Sequence, residues 1–384
     1  MRTYDELRRK WFRSTVWHWM LTVFTILIVL FAAILIGLYT LFSGPSRAMS
    51  DRIVSSVTET SALKFLPYLF MPADEVDRAL DRTSFVAVDS VTNTDLYSFA
   101  EKRVETAEQV VPKDDDTAEQ FTANVGTMQT ARTDDGEPIT IGLPAETAAP
   151  VREDPYGVGE GIEIVRIVGT TYKGYMAIID DPARVSVGTC GVFGANGGKR
   201  IEDIASSYGA GVAVNGGAFA DGGGSGNGGS PAGIVVSQGE WLRDAVSSLC
   251  TVGFDRQNRL IVGSLTNQQA RQVDFRDAVG FGPALIVNGV AASSTGKNSS
   301  LNPRTAIGQR ADGAVLLLVL DGRQLDSLGA SMADLVEIMQ KYGAINACNL
   351  DGGSSSVMIV KGQQLNDGIA VTGSRRIPTA IIVR

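Results

Sequence analysis

The residues best placed for chemistry stand at the ends of apolar runs. Asp351 comes directly before Gly352-Gly353, inside Asn346-Ala347-Cys348-Asn349-Leu350-Asp351-Gly352-Gly353-Ser354-Ser355-Ser356, and Asp321 opens Asp321-Gly322-Arg323-Gln324 after the run Ala314–Leu320. Glycines there let backbone N–H groups reach a ligand, and a carboxylate just before Gly-Gly is placed to point into a crevice. Val214-Asn215-Gly216-Gly217-Ala218-Phe219 leaves another such run, towards the loop Asp221–Gly229. Asn302-Pro303-Arg304-Thr305-Ala306-Ile307-Gly308 and Ser374-Arg375-Arg376 supply cations. Asp-Gly and Asn-Gly are also ordinary turn dipeptides, so each cluster alone says little. Their recurrence at strand ends through one domain is what a turn-only account explains poorly. The glycine loop is no Walker-type phosphate loop, because no Gly-Lys-Ser/Thr follows it.

Strands and a few helices must carry these clusters. Glu163–Val168 and Gly174–Ile179 alternate as strands, followed by Val185–Val187 and the buried run Gly211–Val214. Further strands are expected at Gly233–Ser237, Leu260–Val262, Ala284–Val287, Ala314–Leu320 and Ser356–Ile359. Ile201–Tyr208 reads as a short helix. Ser331–Lys341 reads as the main one, with Ser331 as cap, Asp334 at the capping-box position, and Met332, Leu335, Val336 and Met339 as its apolar face. The fold class is therefore mixed α/β (α+β): a mixed sheet with flanking helices in a C-terminal domain, residues 159–384.

Composition narrows the chemistry. A net charge of -8, with no basic face beyond the first dozen residues, argues against nucleic acid. His18 is the only histidine, which excludes a Ser-His-Asp triad, a Cys-His pair and a His-ligated zinc in the C-terminal domain. Cys190, Cys250 and Cys348 lack metal spacing and allow one disulfide at most. Val16–Phe42 is apolar over roughly 27 residues, against the ~20 needed to span a membrane, and too long for the apolar region of a cleaved signal peptide. Trp11, Trp17, Trp19 and Tyr39 suit the two interfaces, and Arg2, Arg8, Arg9, Lys10 and Arg13 outweigh Arg47 and Arg52. The expectation is a cytoplasmic N-terminus (1–15), one transmembrane helix (16–42) and an extracytoplasmic remainder. That remainder divides into a helical stalk (43–98), a flexible acidic linker (99–158, with Asp114-Asp115-Asp116 and Asp134-Asp135) and the domain.

The ordered set Asn215-Gly216-Gly217-Ala218-Phe219, Gly282-Pro283-Ala284-Leu285-Ile286-Val287-Asn288-Gly289, Pro303–Gly308, Asp321–Gln324, Asn349–Ser355 and Arg375/Arg376 resembles the phosphodiester glycosidase family, in a bacterial, membrane-anchored form. Ala218 and Ser354 depart from the family's commoner bulky residue and glycine. The resemblance implies a hydrolase cleaving a sugar-1-phosphodiester, expected in cell-envelope or exopolysaccharide glycans. The alternative is a non-catalytic polysaccharide-binding envelope module. On the enzyme reading, Asp351 and Asp321 are the catalytic candidates, as nucleophile and acid/base, or else hold a divalent cation such as calcium. No cofactor is required by the sequence. Arg304 with Arg375 or Arg376 would clamp phosphate, and Asn215, Gly216, Gly217, Gly352, Gly353 and Ser355 would contact sugar or phosphate oxygens. The expected partners are a carbohydrate or glycosyl-phosphate substrate and the membrane, with no nucleic acid.

Overall fold

The computed structural model describes residues 4–60, 63–99, 131–132, 138–139, 155–194, 196–220, 227–294, 300–367 and 375–384. Most of the acidic stretch 99–158, including Asp114–Asp116 and Asp134-Asp135, lies outside them, as do Asp221–Gly226 of the glycine loop and Ser374.

Helix α1 (Tyr4–Ser43) contains 28 residues, Val16–Ser43, of mean hydropathy 2.9, long and apolar enough to cross a membrane. Its end does not fray into the next segment. Phe42 is fully buried, stacked 5.7 Å from Phe70, among Val54, Met71, Val76 and Ala79. These come from α2 (Arg47–Thr58), α3 (Ala73–Arg82) and the turn between them, and Arg82 forks onto Asp51 at 2.7 and 2.8 Å. As its sequence suggests, α3 starts after Pro72, with Asp74 and Glu75 in the first turn.

Residues 85–99 are not helical beyond one short turn; they form a strap across the domain. Phe85–Val86 pairs with Ser293–Ser294, and the Thr92 amide donates to the Val262 carbonyl. Tyr97 is buried; its hydroxyl donates to the Leu260 carbonyl at 2.8 Å and accepts from Asn346 Nδ2 at 3.0 Å. The segment has no helical period, and its β-branched Val and Thr with Asn93 and Asp95 favour extended chain and turns over a helix.

Three antiparallel sheets build the domain. Seven strands run in the spatial order Val290–Ala291, Ala284–Val287, Ala344–Asn349, Arg304–Arg310, Val315–Leu320, Lys173–Ile179, Ile162–Val168. A second sheet orders Gln363–Gln364, Met358–Val360, Val212–Asn215, Thr379–Val383, Val185–Thr189. The third orders Leu260–Ser264, Cys250–Phe254, Asp277–Phe281, Val235–Ser237, Glu240–Arg243. Their inner faces share one core that includes Leu317, Val319, Val214, Ile381, Val252 and Leu260. Each outer face is covered by one helix: Met332–Lys341, Ile201–Ser207 and Asn267–Val273 respectively.

Burial on both faces explains why Val315–Leu320 reads as an unbroken apolar run rather than an alternating one. The capping box expected at Ser331 is present, with the Asp334 amide donating to Ser331 Oγ at 3.1 Å and the Ser331 amide donating to Asp334 Oδ2 at 2.7 Å. All three cysteines are reduced and buried, with the Cys250 and Cys348 sulfurs in contact at 3.8 Å.

Candidate active site

The loops that leave these strands meet at one place, and backbone hydrogen bonds fix how they meet. After the Ala344–Asn349 strand, the Leu350 amide donates to the Thr305 carbonyl, the Asp351 amide to Gly216 and the Gly353 amide to Pro303. Asp351 is thereby pinned between the Asn215-Gly216-Gly217 and Asn302-Pro303-Arg304 segments. Gly353 sits at φ +61, where a side chain would be strained, and a Cβ there would lie 3.5 Å from the Arg323 guanidinium.

The Asp351 carboxylate is the most exposed to chemical use. Its Oδ1 accepts from the Gly352 amide at 2.9 Å, while Oδ2 is buried and accepts no hydrogen bond. Burial raises its pKa from 3.8 to about 6; the Ser355 hydroxyl, close by without closing a hydrogen bond, and the Gly352 amide oppose that rise. An unpartnered buried carboxylate oxygen is costly in a merely structural loop.

Asp321 is linked to the same loop through one intermediary. Asn366 Nδ2 donates both to Asp321 Oδ1 at 2.8 Å and to the Ser356 carbonyl at 3.1 Å, tying the second acid to the far end of the Asp351 loop. Burial pushes the Asp321 pKa up, against the pull of Asn366 and the Asp367 amide. Among the described residues, no three of His, Cys, Asp or Glu gather around either acid.

Asn215 is brought to the site but is committed to holding it together. Fully buried, it donates to the Asp351 carbonyl and accepts from Thr305 Oγ1 at 2.8 Å and from the Val357 amide at 3.2 Å. One side chain thus joins all three loops, with both acceptor positions of its oxygen filled from within the protein. Gly216 and Gly217 serve close packing, since a Cβ on them would meet Thr379 at 2.6 Å and the Gly280 carbonyl at 2.8 Å.

The cations fall into two groups. Arg304 is buried, with Nε on the Ala330 carbonyl and Nη2 on the Ser300 carbonyl, Ser300 Oγ and the Glu59 carboxylate at 3.1 Å. Arg323, absent from the expected site residues though present in the quoted Asp-Gly-Arg-Gln run, donates to Asn302 Oδ1 at 2.9 Å. It holds a left-handed backbone, φ 58, unusual for a residue with a side chain. Burial and the neighbouring Arg304 charge lower its pKa. Arg375 lies across the site's other flank, its guanidinium 4.9 Å from the Phe219 ring, and Arg376 donates to the Gly198 carbonyl. Neither shares the Arg304 cluster.

With this geometry in view, comparison with known proteins is decisive. The phosphodiester glycosidase family model matches residues 208–384. Residues 208–384 form a phosphodiester glycosidase domain. The match takes in every site residue of the C-terminal part, and the glycosidase domain's three-sheet core extends upstream of it to Ile162. Among relatives, the SPbeta prophage-derived uncharacterized protein YomE of Bacillus subtilis (strain 168) is 45% identical over 71 residues, 18% of this chain and 11% of that one. Mouse N-acetylglucosamine-1-phosphodiester alpha-N-acetylglucosaminidase is 28% identical over 217 residues, 50% of this chain and 41% of that enzyme. The chain therefore spans less than half the length of these curated relatives. The zebrafish enzyme's catalytic domain matches at 22% identity and TM-score 0.48, covering 58% of this chain and 82% of that one.

Proposed function

We propose that the glycosidase domain hydrolyses the bond between an anomeric carbon and a phosphate oxygen. N-acetylglucosamine, named in the mouse relative, is the first sugar to try, and cell-envelope or exopolysaccharide glycans are the expected source. The observation that carries this reading is Asp351, a buried carboxylate with one free oxygen and a pKa raised to about 6, on a loop that Arg323 approaches at Gly353. Phosphate leaves readily as an anion, so the demand falls on stabilising an oxocarbenium-like sugar rather than on protonating the leaving group. Ionised Asp351 meets that demand as nucleophile or as base for water. Water then delivers its oxygen to the anomeric carbon, the carbon–oxygen bond to phosphate breaks, and the arginines hold the departing monoester.

The pH profile tests the role. With Asp351 acting as the carboxylate, kcat/KM for a sugar-1-phosphodiester rises with pH through about 6 and then levels. A profile that falls through 6 assigns it to general acid, and failure of the full chain to hydrolyse any such substrate sinks the proposal.

The anchor reading belongs to the same proposal: α1 spans the membrane, residues 1–15 are cytoplasmic and the domain lies outside. The burial of Phe42 against α2 and α3 supports an uncleaved helix, because a removed leader has no packing role there. Protease added to intact cells is expected to release the domain. Full protection overturns the orientation.

A further inference from the structure

Two apolar elements face solvent near the catalytic loop. The first is the turn between α2 and α3, where Leu63, Phe65, Tyr68 and Leu69 are each between 46% and 66% exposed, with Lys64 among them. The second is a hairpin tip after Asp321, where Leu325 is fully exposed and Leu328 about half exposed. The tip is not loose. The Arg323 amide donates to the Leu328 carbonyl and the Gln324 amide to the Ser327 carbonyl, both at 3.0 Å, and Lys173 Nζ donates to Asp326 Oδ2 at 2.6 Å. A single exposed leucine is ordinary, but large apolar side chains gathered in two elements near one site mark an interaction surface. Arg323 joins the two elements. Thr60 Oγ1, three residues before Leu63, lies 3.5 Å from Arg323 Nη2, and Arg323 both opens the hairpin and approaches Gly353 of the catalytic loop.

What covers this surface follows from its continuity with α1. Leu69 is followed by Phe70, which stacks on Phe42 at the end of the apolar span Val16–Ser43. Side chains at the end of a membrane span lie at headgroup depth. The turn has the composition of that layer. Leu63, Phe65 and Leu69 carry apolar surface, Tyr68 joins a ring to a polar tip, and Lys64 offers a cation to lipid phosphates while its stem lies along apolar neighbours. The turn is also fastened to the glycosidase domain. Glu59 accepts from Asn302 Nδ2 at 2.8 Å and Arg304 Nη2 at 3.1 Å, and the Leu301 amide donates to Ser56 Oγ at 2.8 Å.

We propose that the Leu63–Leu69 turn and the Leu325 tip lie in the interfacial layer of the bilayer that α1 spans, and that the catalytic loop acts on glycosyl phosphodiesters displayed at that surface, whose phosphate carries a lipid. This rests on the anchored, hydrolytic reading and adds where the substrate comes from. Water gives its oxygen to the anomeric carbon, the carbon–oxygen bond to phosphate breaks, the free sugar leaves, and the lipid keeps the phosphate as a monoester. A tethered site meets substrates confined to the same thin layer at a high effective concentration.

The test uses the full chain reconstituted into vesicles of phosphatidylcholine and phosphatidylglycerol. Phe65→Cys, Leu69→Cys and Leu325→Cys, made singly, carry an environment-sensitive dye; the native cysteines are buried. Asp312→Cys is the control, in the turn between strands Arg304–Arg310 and Val315–Leu320, about 20 Å along them from Asp321. Lipids brominated on their acyl chains are expected to quench the dye about threefold more at the apolar positions than at Asp312. Leu325→Glu is expected to slow hydrolysis of a vesicle-borne glycosyl phospholipid about tenfold, while a water-soluble methyl glycosyl phosphate is hydrolysed as by wild type. Quenching no greater than at Asp312, in a chain that alkaline carbonate leaves in the vesicles, overturns the proposal and keeps the anchor. A blue-shifted dye that brominated lipids do not quench assigns the surface to a second copy or another protein, and overturns it too. Extraction of the wild-type chain by carbonate overturns the anchor and this proposal together. Equal loss on both substrates in Leu325→Glu overturns the membrane-displayed substrate. Quenching as expected without hydrolysis of either substrate keeps the membrane contact and overturns the hydrolase reading.

Discussion

Asp351→Asn is expected to lower kcat for a sugar-1-phosphodiester by about 10³-fold or more, roughly 4 kcal/mol of barrier. The amide keeps the oxygen that accepts from the Gly352 amide but loses the charge on the free side. Stability should move the other way. Burial raises the folded pKa from 3.8 to about 6, so the unfolded chain ionises first and the charge is a cost to the fold above that range. Stability should therefore rise as pH falls from above 6 towards 4. That rise sets an upper bound of about 3 kcal/mol. At pH 7–8 the Asn variant should melt at least as high as wild type, and near pH 4 the two should converge. A variant that keeps most of its activity moves the catalytic assignment to Asp321. One that melts much lower at pH 7 marks Asp351 as structural.

The second large effect concerns stability alone. Tyr97→Ala is expected to cost about 3–5 kcal/mol, the range for deleting a buried aromatic ring. It removes a 2%-exposed side chain and strands both the Leu260 carbonyl and one N–H of Asn346. Tyr97→Phe keeps the ring and should cost about 1–3 kcal/mol through those unpaired groups alone. Denaturant unfolding of the full chain measures both. A Tyr97→Ala midpoint within error of wild type removes the strap from the domain and lets the glycosidase core be cut at about residue 155 without loss.

Where the sequence was a good guide, one periodicity or one local device governed the element. Glu163–Val168, Gly174–Ile179, Ala284–Val287 and the Ser331 capping box all appear where expected, and the mixed α/β class follows from them. Asp351 stands out in the sequence because Gly-Gly beside an acid has a local meaning. The Arg304–Arg310 strand was not, because charged residues at both ends and buried Thr305 and Gln309 disguise it as a loop. Those polar side chains are affordable only because Thr305 and Gln309 donate to Asn215, Asn258 and Gly313 and Gln309 accepts from the Leu260 amide, partners remote in sequence or invisible in one dimension. Asn215 was read as a ligand-facing amide for the same reason: an Asn-Gly-Gly turn says nothing of the three loops it joins. Glu59 carried no signal at all. Its role depends on contacts across the whole chain.

On the proposed anchoring, the length of α1 has a mechanical consequence as well. The 28 residues Val16–Ser43 extend about 42 Å at ~1.5 Å each, against a hydrocarbon thickness of ~30 Å. A helix that overshoots its bilayer leans, and leans further where the bilayer is thin. Because Phe42 packs its last turn into α2 and α3, that lean is passed to the helix whose end carries Glu59. On that reading, membrane thickness would reach α2 and α3 as a mechanical input, without any ligand.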